Sequence, residues 1–220
     1  MSILEAVRNF FGVRSIEKSS SKYNREIDVI KGQGQVRIVV GNFTQSGRFV
    51  DQIWRGGLKQ IQRNSNPPKS VLIIGLGGGT VANLIQDIWP TISITGIEID
   101  AEMVRLGKKY LGLKETKRLN VIIGDALQVV PQLKKEFDLI LVDVYIGGKI
   151  PARVQGNQFT NSVLKLLSPG GTVIFNRLFH NDQEKENAEK FIKTLEKKLD
   201  LRLSRQLSNL LIIGKRKQLS

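Results

Sequence analysis

Apolar and polar residues alternate with a period of two along residues 23–30, YNREIDVI, and again along 35–40, QVRIVV. Such alternation marks strands with one buried face. The intervening Lys31-Gly32-Gln33-Gly34 supplies turn residues, so the stretch predicts a β-hairpin. Before it, Ile3, Leu4, Val7, Phe10 and Phe11 recur at helical spacing and predict a short amphipathic helix over residues 3–12. Residues 49–61 are also helix-like, although Gly56-Gly57 interrupts the pattern. Residues 64–69, NSNPPK, are polar and proline-bearing, as a linker is.

Past the linker the period changes. Continuous apolar runs at 71–74, 92–97, 120–123, 137–142 and 172–176 alternate with helical patterns at 80–88, 101–110, 126–133, 158–167 and 184–198. This predicts a mostly parallel sheet covered by helices on both faces. Two final strands, 201–207 and 210–213, joined by a tight turn, add an antiparallel edge and bring the strands to seven. The chain divides accordingly into an N-terminal helix and linker (1–19), a small β-domain (20–66) and an α/β domain (67–220).

Composition narrows the chemistry. With 40% hydrophobic and 25% charged residues the chain is an ordinary globular protein, neither disordered nor fibrous. It has no cysteine, which excludes disulfides, thiolate metal sites and cysteine nucleophiles. Its one histidine, His180, excludes multi-histidine metal sites; placed in NRLFHND after a strand, it fits a loop or cap role better than catalysis. No window approaches 18 uninterrupted apolar residues, and Glu5, Arg8 and Asn9 interrupt the N-terminal apolar stretch, so neither a membrane span nor a secretory signal is expected. A cytoplasmic protein is the default expectation.

The formal charge of +14 raises the question of a nucleic-acid partner. Residues 1–70 hold 12 basic and 5 acidic side chains, residues 71–150 hold 9 of each, and residues 151–220 hold 13 and 6. Two basic ends thus flank a neutral middle. Part of the excess is helix-face patterning, as in residues 181–200, where acid precedes base along the chain. The remainder leaves a nucleic acid or another polyanion open as a partner.

Candidate chemistry gathers at strand ends. Residues 71–80, VLIIGLGGGT, join a buried strand to a helix through Gly75, Gly77, Gly78 and Gly79. Glycines there permit a tight turn or a ligand's close approach. The spacing is G-x-G-x-G, with Thr80 at the sixth position, which disfavours a nicotinamide or flavin cofactor. Glu98 ends the next strand in GIEID, 23 residues after Gly75, where a carboxylate can accept bonds from ribose hydroxyls. Asp100 fits a helix cap better than a ligand contact. Asp125, followed by Ala126 in IIGDAL, suits either an adenine amino group or the cap of the next helix. Asp143 ends the fourth strand beside Tyr145 in LILVDVYIGG. All four places fall where open α/β sheets bind ligands.

Together GLGGG, IEID, GDA, LVDVY and LLSPGGTVIFN resemble the class I S-adenosylmethionine-dependent methyltransferase fold over residues 70–215. KYNREIDVI, the second strand and GNFTQSG extend the similarity to the spermidine synthase-like branch, over residues 20–215. The resemblance implies a Rossmann-like α/β domain behind a small β-domain. It implies that Glu98 holds the ribose, Asp125 with Ala126 the adenine, and residues 75–79 the amino-acid end, with Gln45 lining the same pocket.

Departures bear on the activity. Polyamine aminopropyltransferases read GGGDGG at the loop, and here Gly78 stands at the aspartate's place. Without that negative charge, intact S-adenosylmethionine is the better fit than its decarboxylated form. Of the D-x-x-D-P segment Asp143 remains, while Ile146-Gly147 replace the second aspartate and proline; the tyrosine expected in the N-terminal domain falls at Trp54. Like charge on substrate and protein also slows encounter with a polyamine. The expected function is therefore methyl transfer to an unidentified small molecule, with Asp143 and Tyr145 orienting or deprotonating the acceptor. The alternatives are aminopropyl transfer from the decarboxylated cofactor, or a non-catalytic module that binds a nucleoside or nucleic acid. The β-domain and N-terminal helix are candidate homodimer surfaces.

Overall fold

The computed structural model describes residues 12–64 and 66–217. The helix expected over residues 3–12 lies outside the described residues, which begin at Gly12. The hairpin is present as β2 (Ile27–Gly32) and β3 (Gln35–Val40). Gln33 and Gly34 between them have φ of 50° and 72°, the mirror-image turn whose twist matches that of paired strands.

The hairpin is part of a larger sheet than its sequence announces. β1 (Arg14–Ser19) pairs antiparallel with β2, and β4 (Phe43–Ser46) with β3, giving the order β1-β2-β3-β4. Residues 14–19, expected to be linker, are therefore a strand. Both added strands are edges: β1 carries a single apolar residue, Ile16, and β4 is four residues long. Neither shows alternation, because pairing rather than a buried face holds them. The sheet's apolar face, Ile27, Val29, Ile38 and Val40, closes on Met103 and Leu106 of a helix in the second sheet's layer.

That second sheet is the predicted seven-stranded one. Its strands are β5 (Ser70–Ile74), β6 (Ser93–Glu98), β7 (Leu119–Ile123), β8 (Phe137–Val142), β9 (Leu167–Leu178), β10 (Leu199–Gln206) and β11 (Asn209–Arg216), in the order β10-β11-β9-β8-β5-β6-β7. β5, β6, β7, β8 and β9 pair in parallel, while β11 runs antiparallel between β9 and β10. The pleat sends alternate residues to opposite faces. Val71 and Ile73 join one core with Leu139 and Leu141; Leu72 and Ile74 join the other with Ile140 and Val142. The helices are α1 (Arg48–Asn64), α2 (Thr80–Ile88), α3 (Ala101–Tyr110), α4 (Ala126–Val129), α5 (Asn157–Lys165) and α6 (Asp182–Leu195). α4 is shorter than residues 126–133 predict, because Pro131 turns its continuation into a 3₁₀ segment, Val130–Gln132.

The helix α1, assigned above to the small domain, shares its core with the seven-stranded sheet through Ile53, Trp54, Leu58 and Ile61. Its glycine pair explains how. A Cβ on Gly57 would meet Leu211 Cδ1 at 2.3 Å, and one on Gly56 would meet Gln206 Oε1 at 2.0 Å. Glycine in mid-helix costs roughly 0.5–1 kcal/mol, and here it lets the helix lie against β10 and β11.

The chain runs from β5 outward to β6 and β7, then crosses to β8 on β5's other side. The order of the sheet reverses at β5–β8, and open α/β sheets bind ligands beyond the carboxyl ends of strands at such a point.

Candidate active site

A cavity of about 520 Å³ opens there, large enough for a nucleoside-sized ligand. Gln45, Gly75, Gly77, Glu98, Asp125, Ala126, Asp143 and Tyr145 all lie on its wall. Gly78 and Gly79 do not. They are buried behind the loop, facing the small sheet and Leu113: a Cβ on Gly78 would meet Ile38 Cδ1 at 2.8 Å and Ser46 Oγ at 2.9 Å. The absence of a side chain at 78 therefore has a packing cause, since the loop must seat against β3 and β4. Two hydrogen bonds fix that seat, from Gly78 N to Ser46 Oγ (2.8 Å) and from Gly47 N to Thr80 Oγ1 (2.8 Å).

At one end of the cavity, the carboxylate of Glu98 is 8% exposed. Oε2 accepts the Gly77 amide at 2.6 Å and Oε1 the Asp100 amide at 3.0 Å. Burial raises its pKa above 4.5, against the lowering effect of those backbone donors. An ionised carboxylate has about four acceptor sites, so each oxygen retains capacity for a hydroxyl of a vicinal diol. The Gly75 and Gly77 backbone adjoins it without side chains in the way.

Asp100 is structural. Oδ1 caps α3 through the Glu102 amide, and Oδ2 accepts from Ser21 and Asn24, both at 2.6 Å, tying the segment before β2 to the α/β layer. Asp125 faces the cavity, and one of its oxygens accepts the Leu127 amide at 2.9 Å as the cap of α4. Both readings of that residue are thus compatible in one side chain. His180 borders the cavity, its Nδ1 2.8 Å from Glu184 Oε2 at the start of α6.

At the other end Asp143 is held on both oxygens. Trp54 Nε1 donates to Oδ2 at 2.9 Å, and Asn176 Nδ2 donates to Oδ1 at 2.7 Å. Asn209 Nδ2 in turn donates to Asn176 Oδ1 at 2.9 Å, so α1, β8, β9 and β11 all contribute to placing one carboxylate. Burial raises the Asp143 pKa above 3.8, with Asn176 and Trp54 opposing. The Tyr145 hydroxyl donates to the Asn176 carbonyl at 3.2 Å, and burial together with nearby Asp143 raises its pKa well above 10.0. Gly75 permits the approach: its φ is 90°, and a Cβ there would sit 2.2 Å from the Asp143 carbonyl oxygen.

Asn176 and Asn209 carry no role in the sequence reading, and their signal was slight: a polar residue closing the apolar run TVIF, and one opening the last strand. Phe43 on the cavity wall comes from β4, an edge strand with no periodic signal, whereas Phe49 opens the helical pattern of residues 49–61, which gave no sign that it faces a cavity.

The family model described as "Spermine/spermidine synthase domain" matches residues 58–204. A polyamine aminopropyltransferase of Vibrio vulnificus (strain CMCP6) is 31% identical over 115 residues, 50% of this chain and 38% of that protein. An "eEF1A lysine and N-terminal methyltransferase homolog" of Drosophila melanogaster is 39% identical over 79 residues, 34% of this chain and 12% of that protein. The matches thus span less than half the length of these curated relatives. Among solved structures, a probable spermidine synthase from Corynebacterium glutamicum superposes with a TM-score of 0.75 at 19% identity, covering 90% of this chain and 79% of that one. That likeness shows a common fold, the small sheet included.

Proposed function

The chain belongs to the spermine/spermidine synthase domain family, and from that premise we propose that it is an S-adenosylmethionine-dependent methyltransferase acting on a small molecule. When bound, that cofactor supplies an electrophilic methyl group on a sulfonium. Glu98 would receive the ribose hydroxyls, Asp125 and Ala126 would border the adenine, and the backbone at Gly75 and Gly77 would lie along the amino-acid end. Asp143, fixed by Trp54 and Asn176, accepts a hydrogen bond from the acceptor and takes its proton. Tyr145 stays protonated, since burial raises its pKa, and holds the β9 backbone against the site. Positioning of this kind can supply much of the rate of a displacement reaction.

The observation that carries the reading is the distribution of charge on the wall. Between Glu98 and Asp143 the loop at 75–80 presents no carboxylate, while Arg37 lies on the wall. The amino-acid end of an intact cofactor, carboxylate included, meets no like charge there. The amine of a decarboxylated cofactor finds no acid on that loop.

Aminopropyl transfer is the second reading, favoured by Asp143 itself and by the similarity to a polyamine aminopropyltransferase. Calorimetry with the two cofactors separates them. Tighter binding of S-adenosylmethionine is expected; a clear preference for the decarboxylated form gives the site to aminopropyl transfer. Binding of neither leaves only a non-catalytic module.

A further inference from the structure

Resting on the methyltransferase reading, we infer that the acceptor carries an oxyacid group on an apolar body, and that Arg37 and Arg48 hold that group in a second cavity beside the first. The second cavity, of about 300 Å³, lies between the small sheet and the start of α1. Arg37 and Phe49 line both cavities, so the two meet at these side chains. What brings the arginines together is Gly47, between β4 and α1. Its φ is 121°, and a Cβ there would meet Arg37 Cβ at 2.9 Å and the Val36 carbonyl oxygen at 3.0 Å. With no side chain at 47, the start of α1 comes against β3, and its first residue, Arg48, shares a wall with Arg37.

Charge on this wall has one sign. Among the described residues its charged members are Arg37 and Arg48 alone, with Gln33, Gln35 and Gln52 as neutral donors. Neither arginine lies within ion-pair distance of a carboxylate among the described residues. The acids of the adjoining elements are engaged elsewhere. Asp28, on the same face of the sheet as Arg37, sits opposite Lys18 and accepts from Ser15 at 2.5 Å. Asp51 of α1 accepts from Arg55 at 2.9 and 3.0 Å. On the wall of the first cavity, Glu98 and Asp125 accept from backbone amides, and Asp143 from Trp54 and Asn176.

A single exposed arginine is ordinary surface. Two that line one concavity repel each other, and a cation in the first turn of a helix is disfavoured by the helix dipole. An anion bound between them removes both costs. The guanidinium fork matches two oxygens of a carboxylate or phosphate, while Val13, Val36 and Phe49 offer apolar surface to the rest of the ligand. The other end of such a molecule passes Phe49 into the first cavity, where Asp143 lies.

The test titrates benzoate, phenyl phosphate and the neutral isostere benzamide into the full chain by calorimetry, with and without saturating S-adenosylhomocysteine. With the nucleoside in place, at least one acid is expected to bind on the order of tenfold tighter than benzamide at low salt. Which acid binds tighter tells a carboxylate site from a phosphate site. Arg37→Gln and Arg48→Gln should each remove most of the preference. Lys59→Gln, at an exposed position of α1 outside both cavities, should keep it. Equal affinities for acid and amide, or no binding of either acid, overturn the inference. So does an equal loss in Lys59→Gln, the mark of general attraction to a basic chain. Acids displaced by S-adenosylhomocysteine would assign the arginines to the cofactor's carboxylate and overturn it as well. In all these cases the nucleoside still binds; failure of S-adenosylhomocysteine itself to bind defeats the methyltransferase reading.

Discussion

In the proposed reading two carboxylates, Glu98 and Asp143, divide the work between them, and burial raises the pKa of each. Glu98→Gln keeps the shape and removes the charge. Losing a charge-assisted acceptor should weaken nucleoside binding by on the order of ten- to a hundredfold, read by calorimetry; unaltered affinity would place the ribose elsewhere. Because burial raises the Glu98 pKa above 4.5, nucleoside affinity should begin to fall on acidification before ordinary carboxylates titrate. Asp143→Asn should lower turnover by roughly 10²–10⁴-fold, the range for loss of a positioned general base, with S-adenosylhomocysteine still bound. Equal turnover would reduce Asp143 to a strand-end brace. Its raised pKa also fixes a sign. The stability contributed by the protonated form is full below 3.8 and is lost as pH rises through the higher folded value. If Asp143 is the base proposed above, turnover should rise through that same window as the ionised form appears.

At the scale of elements, the contact between the glycine loop and the small sheet decides more than the sequence disclosed. The motif marked residues 75–79 as ligand-facing, and the loop divides instead: Gly75 and Gly77 face the cavity, while Gly78 and Gly79 face the small sheet and Leu113. Nothing local distinguishes the four glycines; the partner that does so, Ser46, ends a four-residue edge strand with no periodic signal. Gly78→Asp, which restores the aminopropyltransferase residue, should destabilise by about 1–3 kcal/mol through overpacking against Ile38, Ser46 and Leu111, seen as a lower melting temperature. Conversion to a preference for the decarboxylated cofactor would contradict this account of the position. A further fastening of the sheet is Glu17 on β1, which bonds to Arg105, Lys109 and Tyr110 of α3 and whose pKa these partners lower to about 2, Lys109 most. The ionised form is favoured in the folded state, so its contribution is present above 4.5 and lost as pH falls toward 2. Glu17→Gln should remove that acid-sensitive step and speed amide exchange in β1. Unchanged exchange would mean that the apolar face alone holds the sheet. Parallel strands and their helices were readable because each buries a continuous apolar run. The small sheet's edges β1 and β4 were not, because hydrogen bonds rather than a buried apolar face carry them.

For the molecule as a whole, the charge excess takes on structure. Several of its cations are engaged within the fold: Arg105 and Lys109 with Glu17, Arg55 with Asp51, Lys185 with Asp182, Lys190 with Glu186. Arg177 is wholly interior, a use of positive charge that no net count could reveal. Among the described residues no helix is long and apolar enough to cross a membrane. What joins the scales is one cavity at the sheet's reversal point, with Glu98 at the end proposed for the nucleoside and Asp143 at the end proposed for the acceptor. A crystal structure with S-adenosylhomocysteine tests that division most directly. The account predicts ribose hydroxyls on Glu98, the amino-acid end along Gly75 and Gly77, and the sulfur turned toward Asp143. A nucleoside bound away from Glu98, or a sulfur turned away from Asp143, would contradict it.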